Sequence, residues 1–248
     1  MSAINYSNTD EFMEGYPPAN VIYCYGNYAV VDLVKNLMIS ARNVGMNIVL
    51  FALDKQIAKE MSGICDVVNR FDDSVDSDKY YIIGERGFND VMWQGWLIGT
   101  DILRSGRSYI YMDVDIVIRK NFEKDLLRCF MCCKYDCLVQ FNGKNACTGF
   151  YSMIPNERTV DLFTIDFLVK NKYLGHEGDQ SFFNHVLVRE GKFLSVKFLS
   201  REKYPNGAYY YENHDRIDDV CNIVHFNCIH EYADKVNKMK EHGLWLLQ

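Results

Sequence analysis

The sequence predicts one α/β domain with a mostly parallel central sheet, flanking helices and a small antiparallel part towards the C-terminus. Apolar runs at residues 20–25, 47–53 and 108–112 are typical of strands buried on both faces. Segments with apolar residues at helical spacing lie between these runs. The length of 248 residues is enough for one large domain to fold without disulfide or metal support.

Each predicted element follows from its own local pattern. Short β-branched or aromatic runs predict strands, and apolar stripes closed by Gly45 and Gly243 predict helices. The predicted strands cover residues 20–25, 47–53, 65–69, 108–112, 137–141, 147–154, 193–199 and 222–227. The predicted helical or amphipathic segments cover residues 30–44, 89–105, 121–134, 160–168, 179–189 and 231–242. Residues 204–214 are rich in tyrosine, which indicates either a hairpin with packed tyrosines or a surface that stacks on a sugar.

Charge and cysteine usage restrict the classes of function. The chain has 27 Lys and Arg against 33 Asp and Glu, a net charge of −6, which argues against a nucleic-acid partner. Its nine cysteines lack the spacing of a secreted disulfide framework, so we expect a cytoplasmic or other reducing compartment. No apolar run approaches the roughly 20 residues that span a bilayer, so we expect a soluble protein without a transmembrane segment.

The most informative residues are Asp113 and Asp115, which follow the buried run at 108–112. If the backbone stays extended there, their side chains point to the same side of the sheet edge where open α/β sheets bind ligands. Two adjacent carboxylates repel each other unless a cation compensates, and oxygen ligands suit Mg²⁺ or Mn²⁺. Such an ion takes substrate phosphates as further ligands, which indicates a diphosphate substrate. The alternative is a strand end that carries two surface acids.

Six segments resemble, in matching order, the blocks of GT-A type nucleotide-diphospho-sugar transferases, and they span residues 20 to 246. The segments are YGNYAVVDLVKNLMISARNVG, IVLFALD, SYIYMDVDIVIRKNF, CTGFYSMIPN, GDQSFFN and VHFNCIHEYADKVNKMKEHGLW. The resemblance is nearest to the group that contains plant arabinosyl- and xylosyltransferases with related viral and microbial enzymes. It implies a single Rossmann-like GT-A domain over 1–248, with a nucleotide-binding half at 1–112 and a metal, sugar and acceptor half at 113–248.

The resemblance implies a metal-dependent glycosyltransferase. Its substrates are expected to be a nucleoside-diphosphate-sugar, most simply a UDP-sugar, and the hydroxyl of a glycan or glycoprotein acceptor, with retention at the anomeric carbon. Two other classes stay open from the residues alone: a Mg²⁺-dependent nucleotidyltransferase or phosphohydrolase, and a protein that binds sugar nucleotides without turnover.

The resemblance also assigns a metal site. Asp113 and Asp115 match the D-x-D motif, in which the second Asp binds the metal directly and the first lies against the ribose and the metal shell. His225 matches the histidine that completes the protein's share of the ligands. Without the resemblance, a hydrogen-bonded core histidine is the favoured interpretation of His225, and the resemblance makes the two interpretations equal.

Residues Asp179 and Gln180 match an Asp-Gln pair near the sugar of the donor, and we assign them as the catalytic residues. As an alternative, they form the capping turn of a helix. By the same resemblance Lys238 reaches the diphosphate and Gly243 lies in the same C-terminal block. A solvated lysine-rich helix face is the alternative for this block.

The nucleoside pocket is expected at the ends of the first two strands. The resemblance places Tyr25, Gly26 and Asn27 in the first strand-to-helix turn and Asp54 after the second strand, where all four border the nucleoside. The turn itself and a helix cap are the structural alternatives.

Cys147 begins a block, CTGFY, in which relatives carry asparagine at that position.

Overall fold

The computed structural model describes residues 3–17, 20–83, 85, 87–133, 135–162, 179–189 and 194–247. Strands and helices alternate along most of this part of the chain. The strands are β1 (Asn5–Tyr6), β2 (Val21–Gly26), β3 (Val49–Ala52), β4 (Asp66–Asn69), β5 (Tyr109–Met112), β6 (Ile116–Ile118), β7 (Cys137–Phe141), β8 (Ala146–Met153), β9 (Val196–Phe198) and β10 (Ile223–His225).

The main sheet has the strand order β1-β4-β3-β2-β5-β8-β7-β9 within the described residues. Its neighbours pair in parallel except for β8, which runs antiparallel to both β5 and β7. Strands β6 and β10 form a separate antiparallel pair, with His225 opposite Ile116. The predicted mostly parallel sheet with a small antiparallel part is therefore confirmed.

The helices cover both faces of the main sheet. They are α1 (Thr9–Gly15), α2 (Val31–Asn43), α3 (Lys55–Met61), α4 (Phe88–Arg104), α5 (Glu123–Cys133), α6 (Glu157–Leu162), α7 (Asp179–Arg189), α8 (Gly207–Ile217) and α9 (Tyr232–Glu241). Of the stripe predicted over 160–168, the positions after 162 lie outside the described residues. None of the described helices combines the length and apolar character that crossing a bilayer requires. The reducing compartment stays a prediction.

The hairpin, one of the two interpretations of residues 204–214, is wrong, because the segment from Gly207 onwards belongs to helix α8. Asn206 caps the helix: its side-chain oxygen accepts from the backbone N–H of Tyr209 at 3.1 Å. Tyr210 and Ile217, seven positions apart, turn the same helix face into the core, and each is at most 2% exposed. The Pro-Asn-Gly sequence therefore starts a helix rather than joining two strands.

The N-terminal segment also differs from the prediction, which assigned no element before residue 20. Strand β1 extends the sheet by pairing with β4, and Asn8 caps α1 by accepting from the N–H of Glu11. Phe12 is fully buried and its ring packs edge-on against Phe51 at 5.6 Å. These short elements are stable through contacts with a distant strand rather than through local propensity.

The two faces of the sheet bury different side chains. One face is aromatic: Trp96 of α4 stacks on Tyr151 at 5.0 Å, and Tyr109 meets Tyr151 edge-on at 5.7 Å. The other face is mainly aliphatic, with Leu37 of α2 against Leu50 of β3. This packing fixes the carboxyl edge of β2 and β5, where the candidate site lies.

The end of the chain is attached to α2 through one buried asparagine. The Asn36 amide donates to the carbonyl oxygen of Leu244 at 3.1 Å, and its oxygen accepts from the N–H of Leu246 at 2.6 Å. Helix α9, which ends just before this segment, is thereby held beside β6 and β10. The C-terminal block thus reaches the region that follows β5.

Candidate metal and nucleotide site

Asp113 and Asp115 lie in the turn that joins β5 to β6. The condition of extended backbone, under which the two side chains would share one side, is not met: the N–H of Ile116 donates to the carbonyl of Asp113 at 3.2 Å and closes a tight turn. The N–H of Asp113 in turn donates to the carbonyl of Gly149 at 2.8 Å. The antiparallel pairing of β10 with β6 then brings His225 beside both carboxylates.

The three side chains form a compact cluster. His225 Nε2 lies 3.4 Å from Asp113 Oδ2 and 3.2 Å from Asp115 Oδ1. One oxygen or nitrogen atom from each of the three residues lies within 4.8 Å of the others. The side chains of His225 and Asp115 are almost fully buried, whereas that of Asp113 is 37% exposed, so the cluster opens to solvent on the Asp113 side.

Gln140 decides which nitrogen of His225 carries the proton. Its amide nitrogen donates to the backbone carbonyls of Tyr204 at 3.1 Å and Pro205 at 2.9 Å, so its oxygen faces the histidine. His225 Nδ1 donates to that oxygen at 2.8 Å. In the neutral imidazole, Nε2 therefore directs a lone pair at the two carboxylates.

When the imidazole is neutral, Nε2 of His225 and the nearby oxygens of Asp113 and Asp115 are all hydrogen-bond acceptors and face one another. Among the described residues, neither Asp115 Oδ1 nor His225 Nε2 has a hydrogen-bond partner, although both atoms are buried. Burial lowers the pKa of His225, but the carboxylates of Asp115 and Asp113 raise it well above the usual range. A proton or a cation is needed between these atoms, and two carboxylate oxygens with one imidazole nitrogen suit Mn²⁺ or Mg²⁺.

Gly149 of β8 leaves the space that the cluster needs. A Cβ atom at this position would lie 2.2 Å from Cε1 of His225 and 2.5 Å from Oδ2 of Asp113. Any side chain would therefore displace one of the two groups. This glycine belongs to the CTGFY block, and the steric reason for it appears only in three dimensions.

The comparisons with known proteins agree with this geometry. Residues 44–239 match the family described as nucleotide-diphospho-sugar transferase. The chain belongs to this family. The resemblance expected from the six sequence blocks is confirmed.

A curated relative in this family is a protein of Dictyostelium discoideum named UDP-galactose:fucoside alpha-3-galactosyltransferase. It is 25% identical over 191 residues, which are 66% of this chain and 29% of the relative. The chain thus matches less than a third of the length of that relative.

Solved structures show the same GT-A fold at low sequence identity. The galactosyltransferase LgtC, in complex with donor and acceptor sugar analogues, aligns with a TM-score of 0.56 and 10% identity over 90% of this chain and 94% of its own. Mouse xyloside xylosyltransferase 1 aligns with a TM-score of 0.52 and 13% identity over 85% of this chain and 98% of its own. The glycosyltransferase GlyE of Streptococcus pneumoniae TIGR4 aligns with a TM-score of 0.53 and 14% identity over 92% of this chain and 64% of its own.

In this family member, Asp179 starts helix α7 close to the metal cluster. Burial and the charge of Asp113 raise the pKa of Asp179 to about 6, and a hydrogen bond from the Thr148 hydroxyl partly offsets the rise. The N–H of Gln180 also bonds the Asp179 carboxylate, as in a capping turn. The carbonyl of Gln180 accepts from Asn184 at 2.8 Å. The catalytic role of Asp179 and Gln180 stays a prediction.

Sequence reasoning missed Lys235, which donates directly to a carboxylate of the cluster. Its ammonium donates to Asp115 Oδ2 at 2.6 Å, and its side chain is 10% exposed. Burial raises the pKa of Asp115, but Lys235 and His225 outweigh burial and hold it below the usual range. Helical spacing carried the signal, since Lys235 lies four positions before the buried Met239 and so shares its inward face.

Lys238, the predicted ligand of the diphosphate, lies on a more exposed part of α9. Its ammonium contacts both carboxylate oxygens of Glu241 at 2.8 Å and lies 5.2 Å from the centre of the Tyr211 ring. Gly243 follows the helix with a φ of 65°, which is the left-handed conformation of a helix end. A diphosphate contact from this block stays a prediction.

Tyr25 and Gly26 lie at the carboxyl end of β2 as predicted from the sequence. The Tyr25 ring stacks on Tyr111 at 5.5 Å, and its hydroxyl donates to the carbonyl of Met92 at 3.3 Å. A Cβ at Gly26 would lie 2.8 Å from a methyl group of Val30. Both residues therefore shape the turn above β2, and their contact with a nucleoside stays a prediction.

Asn27 and Asp54 hold the loops around that turn. The Asn27 amide donates to the carbonyls of Asp76 and Lys79, each at 2.8 Å. Asp54 is 7% exposed and caps α3, and it also accepts from the N–H of Tyr28 at 2.7 Å. Both side chains thus have structural roles, and the predicted nucleoside contacts are additional to them.

Proposed function

We propose that this protein is a metal-dependent glycosyltransferase that moves a sugar from a UDP-sugar to a hydroxyl group of a glycan or glycoprotein, with retention. The observation that carries the proposal is that two buried atoms, Asp115 Oδ1 and His225 Nε2, lie beside Asp113 Oδ2 without a hydrogen-bond partner in the described part of the chain. A divalent cation is the natural occupant, and such an ion takes phosphate oxygens as its remaining ligands. Membership of the nucleotide-diphospho-sugar transferase family supports a sugar nucleotide as the source of those oxygens.

The identity of the nucleotide and sugar is drawn from the relative. The name of the Dictyostelium protein specifies UDP-galactose and a fucoside acceptor. We therefore take UDP-galactose as the first donor to test and a terminal fucose as the first acceptor. Residues 1–112 supply the proposed nucleotide-binding half, and residues 113–248 supply the half that binds the metal, the sugar and the acceptor.

In the proposed mechanism, Asp113, Asp115 and His225 hold Mn²⁺ or Mg²⁺. When bound, the cation stabilises the negative charge that develops on the departing diphosphate. Gln140 orients the imidazole of His225 so that Nε2 faces the site. Lys238, on the same helix as Lys235, supplies a further positive charge for the diphosphate.

Asp179 acts on the sugar side of the reaction. As the glycosidic bond breaks, positive charge develops on the sugar, and a nearby carboxylate or amide stabilises it. The Thr148 hydroxyl holds the Asp179 carboxylate, and Gln180 follows it at the start of α7. In a retaining reaction, the acceptor attacks from the face that the diphosphate leaves, so the proposal requires no separate general base.

The proposal is tested by incubating the protein with Mn²⁺ or Mg²⁺ and a panel of UDP- and GDP-sugars, with and without fucosides. We expect release of UDP from one UDP-sugar, complete dependence on the cation, and a product that keeps the anomeric configuration of the donor by NMR. Release of a nucleoside monophosphate or pyrophosphate would instead identify a phosphohydrolase or nucleotidyltransferase. Tight UDP-sugar binding without turnover would identify a binding protein.

A further inference from the structure

Lys235 gives the two oxygens of Asp115 different environments. Oδ2 accepts from the Lys235 ammonium at 2.6 Å, whereas Oδ1 lies 3.2 Å from His225 Nε2. The side chains of Lys235 and Asp115 are 10% and 7% exposed. A fixed positive charge is therefore bonded to one of the groups that would hold the cation.

A tyrosine lies near this ammonium on a second side. Burial raises the pKa of Tyr80, the nearby charge of Lys235 partly offsets the rise, and the Tyr80 ring packs edge-on against Tyr232 of α9 at 5.4 Å. The loop that carries Tyr80 is held in turn by Asn27, which donates to the carbonyls of Asp76 and Lys79. Lys235 thus lies between this loop and the turn after β5.

The charges of the site do not balance a divalent cation. Two carboxylates and one ammonium leave one net negative charge when His225 is neutral. Without Lys235, the same ligands would carry two negative charges and would match the ion. A buried ammonium a few ångströms away raises the free energy of a bound divalent cation, because their repulsion is only partly screened.

We infer that Lys235 makes cation binding depend on the nucleotide: its charge weakens the binding of the metal ion alone, and the anionic diphosphate supplies the missing negative charge. The inference rests on the proposed function and deepens it. By linkage, the cation and the nucleotide strengthen the binding of each other by the same factor. Lys235 acts through Asp115 and lowers the affinity of the site for a metal ion without nucleotide.

The test measures the affinity of the full chain for Mn²⁺, by the loss of the free-ion EPR signal, with and without saturating UDP. For the wild-type protein, we expect UDP to strengthen Mn²⁺ binding at least tenfold. In Lys235→Met, we expect Mn²⁺ alone to bind at least tenfold more tightly than to wild type, and the strengthening by UDP to fall below threefold. Lys235→Gln is neutral and keeps an N–H donor for Asp115, so it should change in the same direction.

Lys240→Met is the matched control, because it removes the same charge from an exposed position on α9. It should leave both Mn²⁺ affinities unchanged. Circular dichroism melting establishes that each variant is folded. If one of the two neutral Lys235 variants does not fold, the other is used. If UDP does not strengthen Mn²⁺ binding to the wild-type protein, that result alone overturns the inference.

Two further results would contradict the account at different levels. If wild type binds Mn²⁺ with UDP but the folded Lys235 variants bind Mn²⁺ alone no more tightly than wild type does, the role of Lys235 is wrong and the metal site stands. If wild type binds no Mn²⁺ even with UDP, the proposed function fails together with the inference.

Discussion

Two buried carboxylates at the same edge of the sheet, Asp54 and Asp115, behave in opposite ways. Asp54 follows β3, and its oxygens accept from three backbone N–H groups, those of Tyr28, Gln56 and Ile57, at 2.7 to 2.9 Å. Its hydrogen-bonding capacity is used within the protein. Asp54 therefore stabilises the local fold whether or not a ligand is present.

Asp115 follows β5 and is as deeply buried, at 5% exposed against 7% for Asp54. One of its oxygens is bonded to Lys235, while the other has no hydrogen-bond partner among the described residues and lies 3.2 Å from His225 Nε2. Burial and position at the sheet edge do not distinguish the two residues. The unmatched buried atom does, and it makes Asp115 rather than Asp54 the candidate to hold a ligand.

The largest expected effect is that of Asp115→Asn on cation binding. Replacing an anionic ligand with an amide should weaken Mn²⁺ binding in the presence of UDP at least a hundredfold, measured by the free-ion EPR signal. The amide oxygen can still accept from Lys235, but the buried ammonium loses its countercharge, so we also expect a lower melting temperature, and the affinity is measured on protein that circular dichroism shows to be folded. Asp54→Asn is the isosteric control: at saturating UDP, which offsets any lost nucleoside contact, it should keep nearly the wild-type affinity for Mn²⁺, and equal losses in the two variants would erase the comparison.

A smaller loss is expected for Gln140→Leu. Without the amide oxygen, His225 Nδ1 loses the acceptor that fixes its tautomer and ring orientation. Loss of such a supporting contact typically costs about 10- to 100-fold in metal affinity. Calorimetric titration with Mn²⁺ and UDP measures the change. An unchanged affinity would show that the tautomer of His225 is set by another group.

The converse expectation applies to Asp54→Ala, which should affect stability and not cation binding. Loss of the α3 cap and of the bond from the Tyr28 N–H should lower the free energy of unfolding by about 2 kcal/mol, as measured with urea. The affinity for Mn²⁺ with UDP should stay within about threefold of wild type. A loss of Mn²⁺ affinity as large as that of Asp115→Asn would assign Asp54 to the site.

The smallest expected effect concerns the pH dependence of stability through Asp179. Its pKa of about 6 in the fold lies above the ordinary value, so the folded state holds the proton more strongly than the unfolded state does. This contribution is present at low pH and is lost as the pH rises through about 6. In metal-free protein, Asp179→Asn should therefore raise the melting temperature by a few degrees at pH 7.5 and leave it nearly unchanged at pH 4. Equal shifts of the melting temperature at the two pH values would show that burial and the charge of Asp113 do not raise the pKa of Asp179.

Hydrophobic periodicity predicted the central elements well, because strands such as β2, β3 and β5 are apolar on both faces and their helices carry clear stripes. It failed at α8, where the Pro-Asn-Gly sequence that begins the helix also suits a turn between strands. The burial of Tyr210 and Ile217 decides between these alternatives, and burial depends on tertiary packing. The short β1 carries no local signal, and the capping pattern of α1, Asn8 followed three residues later by Glu11, was overlooked.

The site was predicted in part, through the resemblance rather than through spacing. Asp113, Asp115 and His225 are brought together by the pairing of β6 with β10, which no local pattern reveals. Lys235 contacts Asp115 across 120 residues of sequence, and it lies on the same helix as Lys238 and Lys240. The three lysines have the same composition signal: helical spacing before Met239 favours Lys235 as the inward-facing one, and packing against the β5–β6 turn shows that it is buried.

A crystal of the protein soaked with Mn²⁺ and UDP, with data collected near the manganese absorption edge, tests the metal site most directly. We expect one anomalous peak bounded by Asp113 Oδ2, Asp115 Oδ1 and His225 Nε2, with diphosphate oxygens completing the ligand set. An ordered UDP molecule with the manganese peak elsewhere, and with these three side chains unchanged, would contradict the account.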